Sequence, residues 1–344
     1  MLPLATQSRC VTPFREALFT STSALCVTGL VVRDTGSYWS VFGQSVILVL
    51  IQIGGLGVIT VGAALALLAG RKISLKQRST MQEASAAPQV GGIVRLTGFI
   101  LRATLLFEAA GAVALMPVFC RDYGLRGIWM GMFHSISAFC NAGFDLLGTE
   151  QAPYVSLTAY AADPLVSLVI AGLIVAGGLG FLTWEDIRTH RLDLRRYRMQ
   201  SKVILATTGL LILLPTVYFF FFEFTQGSIG QRFLLSLFQA ITPRTAGFNT
   251  AQLAEMSGGS QSLMITLMLT GGSPGSTAGG IKNTTLAVLI ATAVATFRRR
   301  EDAQFFGRRV DGSVVKQAVT VLGMYLVCLL YTSPSPRDVA TSRM

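Results

Sequence analysis

Charge is scarce in this chain. Only 13% of its 344 residues are Asp, Glu, Lys or Arg, about half the density of a soluble domain. Residues 38–70 carry no charge at all, which excludes a soluble globular reading. Histidine is scarcer still: His134 and His190 stand alone, and neither pairs with cysteine at metal-ligand spacing. The five cysteines, Cys10, Cys26, Cys120, Cys140 and Cys328, contain no CxxC pair, which argues against a disulfide framework and a zinc site. No phosphate-cradling GxxxxGK[ST] loop exists either. The nearest stretch places Ile281 between Gly280 and Lys282, so a nucleotide site on this chain is not expected. With no hydrolase, transferase or redox constellation, the chain reads as no enzyme, and no signal peptide is recognisable.

What the chain has is long apolar runs. They lie at 38–70, 96–119 (interrupted by Arg102 and Glu108), 164–183, 203–222, 261–297 and 314–331. About 20 such residues cross a bilayer. The fold class that follows is an all-α polytopic membrane protein. The net charge of +11 would suggest nucleic acid in a soluble protein. Here its location decides otherwise. The excess sits at 71–78, 188–202 and 297–309, each directly after an apolar run. That is the positive-inside pattern, so all three segments are placed in the cytoplasm and no nucleic-acid partner is implied.

An internal repeat sets the architecture. FTSTSALCVTGL at 19–30 and FHSISAFCNAGF at 133–144 share Phe-x-Ser-x-Ser-Ala-x-Cys-x-x-Gly followed by a large apolar residue. A more divergent copy, LFQAITPRTAGF at 237–248, keeps a bulky apolar residue ten positions before Gly247 and Phe248 after it. Each glycine precedes a polar stretch, a long apolar run and a basic loop. The unit is helix, short re-entrant segment, helix, basic cytoplasmic loop, with the glycine on the outer side. Re-entrant backbone at membrane depth is tolerated only where it lines protein or water, so the segments should converge on one central pore.

A potassium filter replaces the hydration shell with backbone carbonyls, and glycine permits the φ values this needs. Thr28-Gly29, Ala142-Gly143 and Ala246-Gly247 supply uncharged positions of this kind. The preceding half-helices aim their negative C-terminal dipoles at an entering cation. Asp34 and Asp145 lie just beyond two of the glycines, as pore-mouth acids or as solvated loop acids. Arg244, awkward beside a cation path, is expected to point behind the filter and pair with an acid or carbonyls.

The run 261–297 is broken by Gly271, Gly272, Ser273, Pro274, Gly275, Ser276, Thr277, Ala278, Gly279 and Gly280. Five glycines and a proline in ten residues cannot hold a helix, and discontinuous helices mark ion or substrate pathways. Lys282 follows, to pair with an acid, hold the loop through carbonyls, repel a resting cation, or snorkel to the inner surface.

Taken together, TSTSALCVTGL, SAFCNAGFDL, ITPRTAGFNT and GGSPGSTAGGIKNTT resemble the pore-forming subunit of the Trk/Ktr potassium-uptake superfamily, from about residue 1 to 331. The resemblance implies four helix–pore loop–helix units around one pore, with one filter glycine per unit. Gly29, Gly143 and Gly247 match the first three, and K+ would bind only at the filter carbonyls, with Na+ as a candidate coupling ion. Asn141, Asn249 and Arg244 flank the matched motifs as filter support, and 271–280 matches an intramembrane gating loop. It further implies a multi-pass protein of the bacterial cytoplasmic membrane, a lipid-embedded homodimer. No covalent cofactor is implied, and a cytosolic regulatory ring, not this chain, would carry the nucleotide and contact the basic inner loops.

The units are placed at 1–78 (truncated first helix, pore loop 14–36, helix 38–70, basic loop 71–78), 79–202 (helix 91–119, pore loop 130–146, helix 163–184, basic loop 188–202) and 203–309. The last has helix 203–224, pore loop 231–249, broken helix 261–297 and basic loop 298–309. Residues 310–331 start a fourth unit. Residues 332–344 read as a non-native tail, so the chain is expected to be incomplete at both ends, lacking a fourth filter glycine. The alternative is a secondary transporter of an organic solute with a site at the broken helix, and a third class is a non-transporting sensor or assembly subunit.

Overall fold

The computed structural model describes residues 2–57, 60–62, 82, 93–191, 193–300 and 302–332. Among the described residues the regular secondary structure is helical apart from one short hairpin, as the apolar runs require. In the first unit α1 (Phe14–Leu25) and α2 (Thr35–Tyr38) precede α3 (Val41–Leu56). The second holds α4 (Ile93–Tyr123), α5 (Arg126–Phe139), α6 (Pro164–Gly178) and α7 (Phe181–His190). The third holds α8 (Met199–Tyr218), α9 (Ile229–Ile241), α10 (Gly258–Leu269) and α11 (Asn283–Phe297). A hairpin of β1 (Gln304–Phe305) and β2 (Arg308–Arg309) leads to α12 (Gly312–Thr332).

Among the described residues three helical stretches are long and apolar enough to cross a membrane: Val94–Tyr123, Met199–Glu223 and Gly312–Thr332. By contrast, α1, α5 and α9 have 12, 14 and 13 residues. At 1.5 Å per residue these reach about 20 Å, short of the roughly 30 Å hydrocarbon core. They are half-helices. Local chemistry fixes their starts and those of their neighbours. Ser228 and Gln231 form a capping box at α9. Asp163 accepts from Leu165 N–H at 2.9 Å and Val166 N–H at 3.1 Å, with Pro164 at the first helical position of α6.

Packing passes from unit to unit. The half-helix α5 lies along α4 and against α3 of the first unit, while α9 lies against α8 and against α6 of the second. The core collects around α5, where Phe119, Phe133, Phe139 and Phe144 are fully buried. His134 is buried among them. Its Nδ1–H donates to Met130 O at 2.8 Å and its Nε2 accepts from Leu146 N–H at 3.3 Å. That fixes a neutral structural tautomer.

Two spans depart from the uninterrupted runs. Helix α3 stops at Leu56, where Gly57 takes φ +82°, and residues 63–70 of that run lie outside the described residues. The run 164–183 bends by 97° between α6 and α7. Gly180 makes this bend with φ +84°, and a side chain there would sit 2.7 Å from Pro274 O. The expected basic loop 71–78 and the tail from 333 also fall outside the described residues.

Candidate functional site

Each half-helix ends in the same backbone turn. The second residue before each glycine is left-handed, at φ +56° (Val27), +58° (Asn141) and +73° (Thr245). The glycine is left-handed as well, at +74° (Gly29), +69° (Gly143) and +84° (Gly247). The residue between keeps an ordinary φ. Successive carbonyls of an extended chain alternate sides, and inverting every second residue brings them round to one side.

The three turns face one another. A methyl-sized group on Gly29 would lie 2.6 Å from Ala142 O and 3.5 Å from Gly143 Cα. On Gly143 it would lie 2.5 Å from Ala246 O and 3.2 Å from Gly247 Cα. No side chain fits at either position without displacing backbone of the next unit. Thr28-Gly29, Ala142-Gly143 and Ala246-Gly247 are thus brought into one cluster.

A hydroxyl clamps each turn. Ser23 Oγ donates to Leu30 O at 2.6 Å, Ser137 Oγ to Phe144 O at 2.7 Å, and Thr242 Oγ1 to Phe248 O at 2.5 Å. The acceptor is always the residue after the glycine. The turn is closed from the other side by Thr28 N–H to Ser23 O (3.0 Å), Ala142 N–H to Ser137 O (2.8 Å) and Ala246 N–H to Thr242 O (3.0 Å). The signal was present in the repeated Ser-Ala pair before Cys26 and Cys140, but the third clamp is a threonine one residue closer to its glycine.

Below the turns lies a second repeated device, inconspicuous within the apolar runs. Gly-Gly-Leu-Gly occurs at 54–57 and again at 177–180, and each time it ends the helix that follows a glycine turn. A side chain on Gly54 would collide with Leu25 O, and one on Gly177 with Phe139 O. Leu25 and Phe139 are the last residues of α1 and α5, so each break is pressed against the half-helix end of its own unit. In the third unit the interruption is longer, from Thr270 to Lys282.

That interruption folds into a compact loop docked on the 177–180 break. Ser273 N–H donates to Gly178 O at 2.9 Å, Thr277 N–H to Gly177 O at 3.2 Å, and Phe181 N–H to Gly275 O at 2.8 Å. Gly271 N–H bonds Ile281 O at 2.9 Å and Gly272 N–H bonds Gly279 O at 3.2 Å, closing the base. Ser276 Oγ donates to Ser273 O at 2.6 Å. Lys282 Nζ donates to Ala278 O at 2.7 Å, so this lysine holds the loop through a carbonyl. Between this loop and the first turn is a cavity of about 400 Å³, bounded by Val27, Gly55, Gly57, Thr60, Gly275 and Gly279.

The flanking residues divide. Asn141 reaches the loop through Thr277 Oγ1, at 2.9 Å. Asn249 acts through its backbone: its N–H donates to Ser156 Oγ at 3.0 Å and its carbonyl accepts from Leu157 N–H at 2.9 Å. Asp145 is half-buried, accepts from Leu147 N–H at 3.1 Å, and has no ion-pair partner among the described residues. Two readings need correction. Asp34 is neither an open mouth acid nor a solvated one. It is buried, accepts from Ser37 N–H and Oγ (both 2.8 Å) and from Tyr154 N–H (3.0 Å), and so ties the outer loops of two units together. Arg244 pairs with no acid or carbonyl among the described residues. It is 6% exposed, its Nε has no acceptor, and it joins no ion pair among the described residues.

Among the described residues no group of three or more His, Cys, Asp or Glu could hold a metal ion. The chain matches the family described as TrkH, cation transport protein, over residues 2–333. It is 38% identical to the potassium/sodium uptake protein NtpJ of Enterococcus hirae over 352 residues, 99% of this chain and 76% of that protein. It is 36% identical over 338 residues to the Ktr system potassium uptake protein B of Bacillus subtilis, covering 96% of this chain and 74% of that protein. The fold is similar to the crystal structure of the potassium transporter TrkH from Vibrio parahaemolyticus, with TM-score 0.72 and 19% identity. That alignment covers 93% of this chain, which spans 64% of the length of the solved chain. The chain belongs to the TrkH family of cation transport proteins, a family of transporters and not of enzymes.

Proposed function

We propose that this chain forms the pore of a potassium-uptake system in the bacterial cytoplasmic membrane, with the carbonyls around Gly29, Gly143 and Gly247 as its selectivity filter. The observation that carries this reading is the mutual approach of the three left-handed turns, 3.5 Å or less between would-be Cβ and the neighbouring glycine Cα. Carbonyls fixed on one side by alternating φ can replace a cation's water shell. The fourth side of the ring is assigned to the unit opened by α12. Asp145, half-buried beyond Gly143, is the acid that would concentrate cations at the mouth.

The loop 271–280 is the gate of this pore. It lies beneath the turns across the cavity, and its hydrogen bonds to Gly177, Gly178 and Phe139 hold it closed. The relative named as part of a Ktr system supports a regulatory partner on the cytosolic side, which would carry the nucleotide and meet the basic loop 188–202. The relative named for potassium and sodium supports Na+ as a second ion. The homodimer and its lipid environment belong to the same proposal. The test is rubidium uptake into proteoliposomes holding the full-length protein. Uptake blocked by excess potassium supports it, and uptake of an organic solute without rubidium flux overturns it.

A further inference from the structure

Away from the glycine turns, a groove of about 390 Å³ runs between α8 and α11 and is closed at one end by the β1–β2 hairpin. Its walls are apolar: Val203 and Leu210 on α8, Ala287, Ile290 and Val294 on α11. Leu210 and Ile290 are more than half exposed, so the groove opens outward rather than into the pore. From Ala287 to Arg298 the backbone rises about 16 Å at 1.5 Å per residue, close to half of the roughly 30 Å hydrocarbon core. The groove therefore spans one leaflet, from mid-membrane to the basic segment 297–309.

The end of the groove is charged. Arg298 and Arg300 line it, and neither has an ion-pair partner among the described residues. Among the described residues Asp302, which also lines this end, is held by Arg309 at 2.8 Å. Phe306, 63% exposed at the hairpin turn, closes the mouth. An apolar trough one leaflet long, ending at the inner face in two guanidinium groups with no ion-pair partner among the described residues, matches one kind of molecule. Basic pockets between membrane helices on the cytoplasmic side suit anionic headgroups, whose phosphate arginine can grip with two hydrogen bonds.

We propose that this groove binds an anionic phospholipid of the inner leaflet, its acyl chain along α8 and α11 and its phosphate against Arg298 and Arg300. The inference rests on the cytoplasmic placement of 297–309 and not on the filter, so it is tested without transport. The full-length protein carrying Phe306→Trp is placed in phosphatidylcholine vesicles with rising fractions of acyl-brominated phosphatidylglycerol or acyl-brominated phosphatidylcholine. Fluorescence of the parent, from Trp39, Trp129 and Trp184, is subtracted. Brominated phosphatidylglycerol should half-quench the introduced indole at about tenfold lower mole fraction than brominated phosphatidylcholine. Adding R298Q and R300Q, at exposed side chains, should merge the two curves without lowering the thermal midpoint. Coincident curves with both arginines present would overturn the proposal. So would a preference that survives their removal, or an indole that neither lipid quenches, which would mean that a second copy or a protein partner covers the groove.

Discussion

Asn141 Nδ2 donates to Thr277 Oγ1 at 2.9 Å, and the same hydroxyl donates to Phe139 O at 2.8 Å. One threonine of the loop is thus bonded both to the end of a half-helix and to the residue two before Gly143. Any movement of the loop must break contacts made by the second glycine turn itself. The candidate gate and the candidate filter are one hydrogen-bonded body.

Replacing Thr277 with Val keeps the shape and removes both bonds. Each is worth about 1 kcal/mol, so the ratio of closed to open loop should fall about thirtyfold. The prediction is a severalfold rise in rubidium flux through Thr277→Val without any regulatory partner, and a larger rise when 273–278 is deleted. Flux equal to or below that of the parent in both variants would remove the loop from gating.

The clamp on the second turn gives a separate prediction. Ser137→Ala leaves the buried Phe144 carbonyl without its donor, at a cost of about 1–3 kcal/mol. The variant should melt several degrees lower and discriminate less between potassium and sodium. A stability loss with unchanged selectivity would make the hydroxyl a packing element only.

Gly180 carries the 97° bend between α6 and α7. Alanine there meets a left-handed backbone, costing about 1–2 kcal/mol, and would press on Pro274 O. Gly180→Ala should lower the melting temperature more than Gly209→Ala, since Gly209 has open space around it. Equal melting temperatures would mean that the bend relaxes freely.

Much of this was legible in the sequence, for definite reasons. Gly29, Gly143 and Gly247 stood out because all three take a left-handed φ and nothing larger fits at the first two, and a requirement repeated in three units leaves a repeated letter. The interruption at 271–280 was legible because five glycines and Pro274 cannot hold a helix. The breaks at 54–57 and 177–180 were hidden because three glycines and a leucine do not disturb an apolar run. Positive φ at Val27 and Thr245 was hidden as well, since β-branched residues disfavour it and only the surrounding packing enforces it. Tertiary contacts likewise decided Asp34 and Arg244. One became a buried cap through Tyr154, far along the chain, and the other found no partner among the described residues.

The topology is testable at Arg196, exposed in the basic loop and paired with Asp193 at 3.0 Å. A cysteine placed there in a cysteine-free parent should react with a membrane-impermeant reagent only from the cytoplasmic side. Labelling of intact cells from outside would invert the orientation.

The filter itself is tested most directly at the centre of the cluster. Gly143 sits between the other two turns, at φ +69° and with Ala246 O where a side chain would go. Relative potassium and sodium uptake should be measured for Gly143→Ser in the full-length protein. A filter built from these carbonyls predicts that the potassium preference falls at least tenfold while transport persists. An unchanged ratio of potassium to sodium flux would contradict it.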